Sequence, residues 1–435
     1  LDEGRMRTRF HREPMIRAVE LLLQERIPSD VFLAHPRAEE VRVSSYEAGI
    51  EASTLRRVAL TPGESPVTHL LSNGRYSVML SASGAGYSRW RDIAVTRWRE
   101  DPTRDDWGYY VLLRDVHDGR TWAATTQPSG QVPVSGEILF DEDRAEFSRH
   151  DGSLSSVLEV LVSGEDDGEV RRITLVNNGR RSQEIELTSY AELVLAPAAA
   201  DDAHPAFSKL FVQTEYVAEY AALVATRRLR SGTETPVWAA HFAVVEGSLT
   251  APVEYESDRA RFLGRGRTLR DVLADLRQPL SGSAGTVLDP VFSLRRRLRI
   301  APGEMARVSF WIVVAETREA LFDLIDKHHE RSGFDRARTL AWTQAQVQLR
   351  DLDIAAGEAA DFQRLAAPLL YADARYRAPP ESIRHGSGPQ SGLWPLGISG
   401  DLPILLLRLD DSDDLEQLRQ ILRAHQYWRT KGLEV

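Results

Sequence analysis

The chain has 435 residues, a length that predicts two or three domains rather than one core. Hydrophobic residues make up 42% and charged residues 27%, as in soluble globular proteins, and the formal net charge of −10 argues against a general nucleic-acid-binding protein. Cysteine is absent, which excludes disulfides, thiolate metal ligands and a cysteine nucleophile. No apolar run approaches the ~20 residues that cross a bilayer, so no membrane segment is predicted in this chain.

The first predicted element is a helix. Met15, Ile16 and Val19 recur at helical spacing, so residues 13–26 are predicted to form an amphipathic helix. Residues 31–65 are polar and turn-rich and are predicted to be a linker. Because the chain starts without methionine or a signal peptide and ends without a cap or turn, we expect both ends to be cut from a larger protein.

A period-two pattern begins near Val67 and predicts strands. The dipeptides Asn73-Gly74 and Asn178-Gly179 each lie between apolar runs, which predicts two hairpins. Arg295 to Arg297 lie inside an apolar alternation and are predicted to be a solvated strand edge. These patterns predict a large antiparallel sandwich over residues 66–316, with further strands over residues 156–162, 190–195, 237–245 and 306–314.

The spacing of apolar residues becomes helical at Thr317, a candidate N-cap. His328-His329 lacks a third ligand at metal spacing and is predicted to be a helix surface rather than a metal site. Further helices are predicted over residues 334–349, 358–371 and 414–428, the last with an inward face of Leu415, Leu418, Ile421 and Leu422. The fold class is therefore mainly β plus α.

One loop of the predicted sandwich concentrates aromatic, basic and acidic side chains. Tryptophan stacks on the C–H faces of sugars, while arginine and aspartate bond their hydroxyls. An ordinary sandwich loop with aromatic anchors and ion pairs has the same composition, so both interpretations stay open. The residues of this candidate sugar-site loop are Arg97, Trp98, Asp105, Asp106 and Trp107.

A second candidate lies in the loop rich in glycine and serine before Pro403. This loop holds a tryptophan, Trp394, and then Asp401 between a glycine and a Leu-Pro pair, which constrains the backbone around the carboxylate. Asp401 is thus either a binding residue or the cap of a helix that Pro403 begins, and the sequence leaves both roles open.

Several long stretches carry a family resemblance. Residues 67–435 resemble the glycoside hydrolase family 94 region of cyclic β-1,2-glucan synthases, and residues 1–30 resemble the tail of the glucoamylase-like segment that precedes it. The stretch GISGDLP, at residues 397–403, is typical of family 94 broadly, whereas the arginine-rich loop points to the β-1,2-glucan branch. The other matching stretches are residues 68–80, 86–110, 186–197, 204–214, 258–266 and 341–349.

The resemblance implies a super-β-sandwich, linker helices over residues 317–355 and the start of an (α/α)6 barrel over residues 356–435. It implies that Asp401 binds sugar hydroxyls in the −1 subsite and that Arg384 is the first arginine of a pair, with Gln390 and Trp394 as looser substrate-binding candidates. The second arginine of related cellobiose phosphorylases is expected near Trp394, where this chain has no basic residue. The general acid is expected beyond Val435, the last residue, so no catalytic residue is assigned in this chain.

The implied function is that of a fragment of a cyclic β-1,2-glucan synthase, whose intact region limits chain length by inverting phosphorolysis. Its partners would be β-1,2-glucan and the other domains of the synthase, and a homodimer is one assembly that the resemblance allows. No cofactor or metal is expected, with inorganic phosphate as a co-substrate, and the expected location is the cytoplasmic face of the bacterial inner membrane. The alternatives are a free-standing 1,2-β-oligoglucan phosphorylase and a non-catalytic carbohydrate-binding or scaffold module.

Overall fold

A computed structural model gives the architecture of residues 55–60, 63, 65–232, 234–371, 373–386, 388–409 and 414–435. The helix predicted over residues 13–26 and most of the linker predicted over residues 31–65 lie outside these described residues. The described part begins with strands and ends with helices. The predicted fold class, an antiparallel sandwich followed by helices, is therefore confirmed.

The described residues form nineteen strands: β1 (Arg56–Val58), β2 (Thr68–Ser72), β3 (Tyr76–Ser81), β4 (Gly86–Trp90), β5 (Ile93–Thr96), β6 (Tyr110–Asp115), β7 (Thr121–Ala123), β8 (Ser135–Asp141), β9 (Arg144–Asp151), β10 (Leu154–Val162), β11 (Gly168–Asn177), β12 (Gln183–Pro197), β13 (Val212–Val217), β14 (Ala222–Arg227), β15 (Trp238–Glu246), β16 (Ser248–Leu249), β17 (Glu254–Asp258), β18 (Pro290–Ile300) and β19 (Met305–Ala315). Four short helices interrupt the strands: α1 (Ala198–Ala203), α2 (Pro205–Lys209), α3 (Arg259–Leu263) and α4 (Leu269–Ala274). Five follow them: α5 (Arg318–His328), α6 (Gly333–Asp351), α7 (Ala356–Leu370), α8 (Pro380–His385) and α9 (Leu415–Thr430). Short 3-10 helices cover Ala374–Tyr376 and Gln390–Leu396.

The strands form two antiparallel sheets. The first sheet has nine strands in the order β1-β8-β9-β10-β11-β19-β15-β14-β13. The second has ten strands, seven of them in the order β16-β18-β12-β5-β4-β3-β2, while β17 pairs with β18, β6 with β12 and β7 with β6. The main core lies between the sheets and includes Leu187 of one sheet with Phe140 and Ile173 of the other. The sheets therefore stack as a sandwich around a shared apolar layer.

Some strands are buried on both faces. In β3, Val78 and Leu80 belong to the core between the sheets, whereas Met79 belongs to an apolar cluster shared with α7 and α9. In β19, Phe310 belongs to the inter-sheet core and Trp311 packs in a cluster with α5 and α6. Because helices cover the outer faces, these strands are continuous apolar runs rather than alternating patterns.

The two Asn-Gly dipeptides have different roles. Asn73-Gly74 joins β2 to β3 as predicted, with φ of +88° at Gly74. The hairpin predicted at Asn178-Gly179 is wrong, because this turn links β11 to β12, which lie in different sheets. The buried Asn177 side chain holds the crossing: its oxygen accepts from the Gly179 N–H at 2.9 Å, and its nitrogen donates to the carbonyl of Ile300 at 2.9 Å.

Two predictions of solvent exposure are wrong for one residue each, Arg295 and His328, whereas Arg296, Arg297 and His329 are partly buried. Arg295 lies in β18, which has partners on both sides, and it is buried with Nη1 3.2 Å from a carboxylate oxygen of Glu254. His328 is buried because α5 packs on the outer face of the nine-stranded sheet. Its Nε2 lies 2.8 Å from Asp166 Oδ2 and its ring stacks on Trp311 at 4.2 Å.

The start of the helical part agrees with the sequence pattern. The Thr317 hydroxyl accepts a hydrogen bond from the N–H of Ala320 at 3.2 Å, so Thr317 is the N-cap of α5 as predicted.

Strand β1, at the N-terminal end of the described residues, falls in the range predicted as linker, where Arg56 pairs with Phe140 of β8. The first sheet thus extends N-terminal to the predicted start at residue 66.

The inward face predicted for α9 is wrong at two of its four residues, since Leu418 and Ile421 are partly buried. Leu415 and Leu422 are 49% and 58% exposed, whereas Ala424, Tyr427 and Trp428 are buried. The reason is that the C-terminal half of α9 packs on α7 and on the ten-stranded sheet. Apolar spacing alone gives no information on which half of a helix meets the rest of the protein.

Candidate functional site

The loop that carries Asp401 folds back on a 3-10 helix. Gln390, the first residue of that helix, donates from Nε2 to the carbonyl of Ser399 at 2.8 Å and to Asp401 Oδ1 at 3.0 Å. Gly400 has φ of +77°, and a Cβ at this position would lie 2.9 Å from Gln390 Cγ. Glycine therefore allows both the backbone turn and the close approach that sets Gln390 beside Asp401.

The alternative role for Asp401, as a helix cap, is not supported by its surroundings. Residues 403–409, all of which are described, form no helix. The Asp401 N–H donates to Ser399 Oγ at 3.3 Å, and the exposed carboxylate accepts a bond from Gln390. A carboxylate oriented in this way can accept charge-assisted bonds from sugar hydroxyls.

The other two substrate-binding candidates, Trp394 and Arg384, are both exposed. Trp394 belongs to the same 3-10 helix as Gln390 and is 64% exposed. Arg384 lies in the last turn of α8. The described structure thus brings Gln390 and Asp401 into contact, places Trp394 on the same short element, and shows no contact of Arg384 with that pair. The binding roles of all four residues stay predictions.

The position of the general acid also stays a prediction. No residue that the structure describes is assigned as the general acid. Val435 itself is partly buried and packs against the apolar cluster that joins α7 and α9 to strand β3. Val435 therefore contributes to the packing of this cluster.

In the candidate sugar-site loop, Arg97 is the centre of a buried ion-pair network. Its Nε lies 2.9 Å from Asp201 Oδ2 and its Nη1 2.9 Å from Glu192 Oε2, with 4% of the residue exposed. Burial by itself lowers the pKa of Arg97, but the bonds to Asp201 and Glu192 outweigh burial and raise that pKa. Arg97 is therefore permanently charged, and these bonds hold it to β12 and α1.

Trp98 and Asp105 connect this loop to the end of α7. The Trp98 ring makes edge contacts with Tyr87 at 5.6 Å and with Tyr371 at 5.5 Å. Asp105 accepts hydrogen bonds from the hydroxyls of Tyr371 at 2.7 Å and Ser83 at 2.5 Å. Burial and the neighbouring Asp105 raise the pKa of Tyr371, which keeps it a neutral donor. These contacts are those of an anchored sandwich loop.

Asp106 and Trp107 line an open cleft of about 90 Å³ on the outer side of the sandwich. The cleft lies between this loop, the β12 strand and the segment that contains α3 and α4. Asp106 Oδ2 accepts a bond from Arg104 Nη2 at 2.8 Å. The residues that complete the lining are Arg97, Arg104, Gly108, Tyr110, Tyr190, Glu192, Arg259, Leu263, Arg267, Thr268 and Leu269.

Sequence reasoning missed the deeper residues of this cleft. Tyr110, Glu192 and Arg259 come from parts of the chain that are far apart, and sheet pairing brings them together. One signal could have found them, because each lies in a stretch that carries the family resemblance, at residues 86–110, 186–197 and 258–266.

Two kinds of feature, a metal-binding cluster and a membrane-spanning helix, are absent from the described residues. No group of three or more histidine, aspartate or glutamate side chains in this part of the chain is placed to hold a metal ion. None of its helices combines the length and the apolar composition needed to span a bilayer.

The fold is that of a glycosyl hydrolase supersandwich. The family described as "Glycosyl hydrolase 94, supersandwich domain" matches residues 54–331, a range that contains every strand from β1 to β19 and helix α5. The chain belongs to this family. The resemblance stated from the sequence motifs is thereby confirmed.

Comparison with known proteins gives more particular similarities. The cyclic beta-(1,2)-glucan synthase NdvB of Rhizobium meliloti (strain 1021) is 41% identical over 431 residues, which are 99% of this chain and 15% of NdvB. The N,N'-diacetylchitobiose phosphorylase of Vibrio furnissii is 24% identical over 254 residues, 56% of this chain and 30% of that enzyme. The chain thus spans less than a third of either relative. A solved bacterial glucoamylase complexed with acarbose aligns with a TM-score of 0.39 and 9% identity, covering 74% of this chain and 44% of that structure, and this likeness carries no further argument.

Proposed function

We propose that this chain is a segment of a glycosyl-transferring enzyme of the cyclic β-1,2-glucan synthase type, and that its family 94 region acts on β-1,2-linked glucan. The similarity to NdvB extends over 99% of the chain. The structural observation that carries the proposal is the Gln390–Asp401 contact at 3.0 Å, on a loop that also exposes Trp394. A fixed carboxylate, an amide and an exposed indole are side chains that suit a sugar.

The proposed chemistry is inverting phosphorolysis. An oxygen of inorganic phosphate attacks the anomeric carbon of a glucosyl unit as the glycosidic C–O bond breaks, and the leaving oxygen takes up a proton from a general acid. Inversion of a β-linkage yields α-glucose 1-phosphate and a glucan shortened by one unit. In this scheme Asp401 accepts bonds from sugar hydroxyls, Gln390 orients its carboxylate, Trp394 stacks on the sugar and Arg384 faces the phosphate. No residue of the chain is assigned as the acid.

The proposed role in the cell is control of glucan length. Phosphorolysis would trim chains before cyclisation, with β-1,2-glucan and the remaining domains of the synthase as partners, without a cofactor, and at the cytoplasmic face of the inner membrane. A homodimer is part of this proposal, since the 97–107 loop could then lie against the helices of a second subunit.

The test is phosphate-dependent turnover. The enzyme that contains this segment, incubated with a β-1,2-linked gluco-oligosaccharide and phosphate, is expected to release α-glucose 1-phosphate at a rate that depends on the phosphate concentration. Binding of the oligosaccharide without consumption of phosphate would contradict the proposal and favour a non-catalytic binding or scaffold module. Phosphorolysis by an enzyme that makes no glucan would instead favour a dedicated oligoglucan phosphorylase.

A further inference from the structure

The hydroxyl group of Tyr110 is buried. Tyr110, at the start of β6, is 2% exposed, and its hydroxyl has no hydrogen-bond partner among the residues that the structure describes. Burying a polar group without a partner is unfavourable, and native proteins usually avoid it. Nearby Tyr190 shows the usual solution, since its hydroxyl donates to Glu192 Oε1 at 2.9 Å. The Tyr110 hydroxyl therefore suggests a group that binds there.

The surroundings of this hydroxyl form the cleft described above. Tyr110 and Tyr190 lie at the cleft together with Trp107, and Arg267 and Leu269 line it as well. Gly108 packs closely against Tyr110, since a Cβ at that position would lie 3.1 Å from Tyr110 Cζ. Open space, an aromatic side chain and an unsatisfied hydroxyl are thus found at one place.

Three of the four arginines that line the cleft are paired with carboxylates, and the fourth, Arg267, donates from Nη2 to the carbonyl of Asp271 at 2.7 Å. Arg97 and Arg259 bind the two carboxylate oxygens of Glu192 at 2.9 and 2.6 Å, and Arg104 is paired with Asp106 at 2.8 Å. A buried cation already bound to carboxylates has few donors left for an anion. A neutral polyol, which needs bonds to hydroxyls and contact with an aromatic face, fits this lining better than a phosphate.

We propose that this cleft is a second glucan-binding site, in which the Tyr110 hydroxyl bonds to a hydroxyl of a glucosyl unit and Trp107 contacts the sugar ring. The identification of the ligand as a glucan rests on the proposed function, whereas the position of the site rests on the residues that line the cleft. It lies on the sandwich and shares no residue with the Gln390–Asp401 loop. A long glucan could be held here while another part of it occupies that loop. Burial raises the pKa of Tyr110 well above its usual range, so the hydroxyl remains a neutral donor at physiological pH.

The test uses Tyr110→Phe with Tyr109→Phe as the matched control. Tyr109 is also 2% exposed with an unpartnered hydroxyl in the described structure, but it belongs to the core between the sheets, where Arg171 lies 4.2 Å from its ring centroid. The probe is a β-1,2-linked gluco-oligosaccharide, titrated by calorimetry. Tyr110→Phe is expected to raise Kd roughly threefold to tenfold, the value of one hydrogen bond, without lowering the thermal unfolding midpoint. Tyr109→Phe is expected to leave Kd unchanged.

Further variants separate this proposal from the proposed function. Trp107→Ala is expected to weaken binding by roughly tenfold through loss of the aromatic contact, and the Tyr110→Phe effect should persist in an Asp401→Asn background. Equal Kd values for the wild type and Tyr110→Phe, or no oligosaccharide binding at all, would overturn the second site. Inorganic phosphate that binds the wild type and competes with the oligosaccharide in a Tyr110-dependent way would overturn the choice of a sugar. Tyr110-dependent binding without any phosphorolysis would support the cleft and contradict the proposed function.

Discussion

Two regions of the helical part satisfy their polar groups in opposite ways. At the junction between the sandwich and helices α7 and α9, the Tyr427 hydroxyl donates to Glu142 Oε2 at 2.8 Å and accepts from Gln363 Nε2 at 2.8 Å. Lys431 Nζ lies 2.6 Å from Glu142 Oε1, with both side chains nearly inaccessible. Gln363 also bonds the N–H and the carbonyl of Leu70, each at 2.9 Å, which covers the free edge of strand β2.

The surface segment, the described part of residues 380–409, is different. Its residues are mostly exposed, including Trp394 at 64% and Leu406 at 79%, and Gln390 donates to Asp401 at 3.0 Å. In the junction, the polar groups of Tyr427, Glu142 and Gln363 are bonded to other protein groups, so substitutions there should act on stability. In the surface segment the polar groups remain accessible to a ligand, so substitutions there should act on binding and leave folding unchanged.

The largest expected effect is that of Trp428→Ala in the junction. Trp428 is 1% exposed, and its Nε1 donates to the carbonyl of Phe362 at 2.8 Å. Removing a buried tryptophan creates a cavity and leaves that carbonyl without its donor, so we expect a loss of about 4 kcal/mol in the free energy of unfolding. Urea unfolding measures this loss.

The matched control is Trp394→Ala in the surface segment. Because Trp394 is 64% exposed, its removal should change the free energy of unfolding by less than about 0.5 kcal/mol. Similar losses for the two tryptophan variants would show that the junction and the surface segment do not differ in the way described.

The second prediction concerns the buried ion pair of the junction. Glu142→Ala leaves Lys431 charged and buried without its carboxylate, and removing one partner of such a pair typically costs about 3 kcal/mol or more. The double variant Glu142→Ala with Lys431→Met is expected to be more stable than Glu142→Ala alone, since it removes the unpaired charge. Urea unfolding of the two variants at neutral pH checks this order, and the reverse order would contradict it.

The correct and the wrong sequence predictions differ in whether the predicted feature depends on neighbouring residues or on residues far along the chain. Thr317 as an N-cap and the turn at Asn73-Gly74 depend on neighbours within a few residues, and both were predicted. The crossing at Asn178-Gly179, the burial of His328 and the buried half of α9 depend on residues far along the chain, and each was predicted wrongly. Local spacing contains little information on which surfaces meet in the folded protein.

The candidate sites follow the same rule. The constrained backbone around Asp401 was visible in the sequence because its neighbours are adjacent. The cleft at Tyr110 was not visible, because strands β6 and β12 and helix α3 supply its deeper residues from separate stretches. Arg97 and Asp105, predicted as candidate sugar ligands, are bonded to Asp201 and Tyr371, which no local pattern could show.

The third prediction is a pH dependence that arises in the sandwich core. Burial lowers the pKa of His241 from 6.5 to about 4, while its Nδ1–H donates to the carbonyl of Trp311 at 2.8 Å. The unfolded chain therefore takes up a proton on His241 first as pH falls below 6.5, so the stabilisation is full above pH 6.5 and is lost progressively towards pH 4. Between pH 6.5 and pH 5 this group should account for a loss of about 2 kcal/mol.

The measurement is urea unfolding of the wild type and His241→Gln at pH 7 and pH 5. The variant is expected to be less stable at pH 7 but to lose about 2 kcal/mol less than the wild type on acidification. His385→Gln, at an exposed position on α8, is the control and should follow the wild type. An acid-induced loss of the same size in all three proteins would exclude His241 as the group responsible.

The smallest effect on stability, and the clearest on activity, is expected for Asp401→Asn. The carboxylate is exposed and bonded to Gln390, so its replacement should leave the free energy of unfolding within about 0.5 kcal/mol of the wild type. Asparagine retains the shape and one acceptor oxygen but loses the charge that strengthens bonds from sugar hydroxyls. Because such charge-assisted bonds contribute about 1.5–3 kcal/mol each, kcat/KM of the enzyme that contains this segment, measured on a β-1,2-linked gluco-oligosaccharide, should fall roughly tenfold to hundredfold. Unchanged kinetics in a stably folded variant would make Asp401 a structural residue of its loop, and the surface segment would then lose its proposed role in binding sugar.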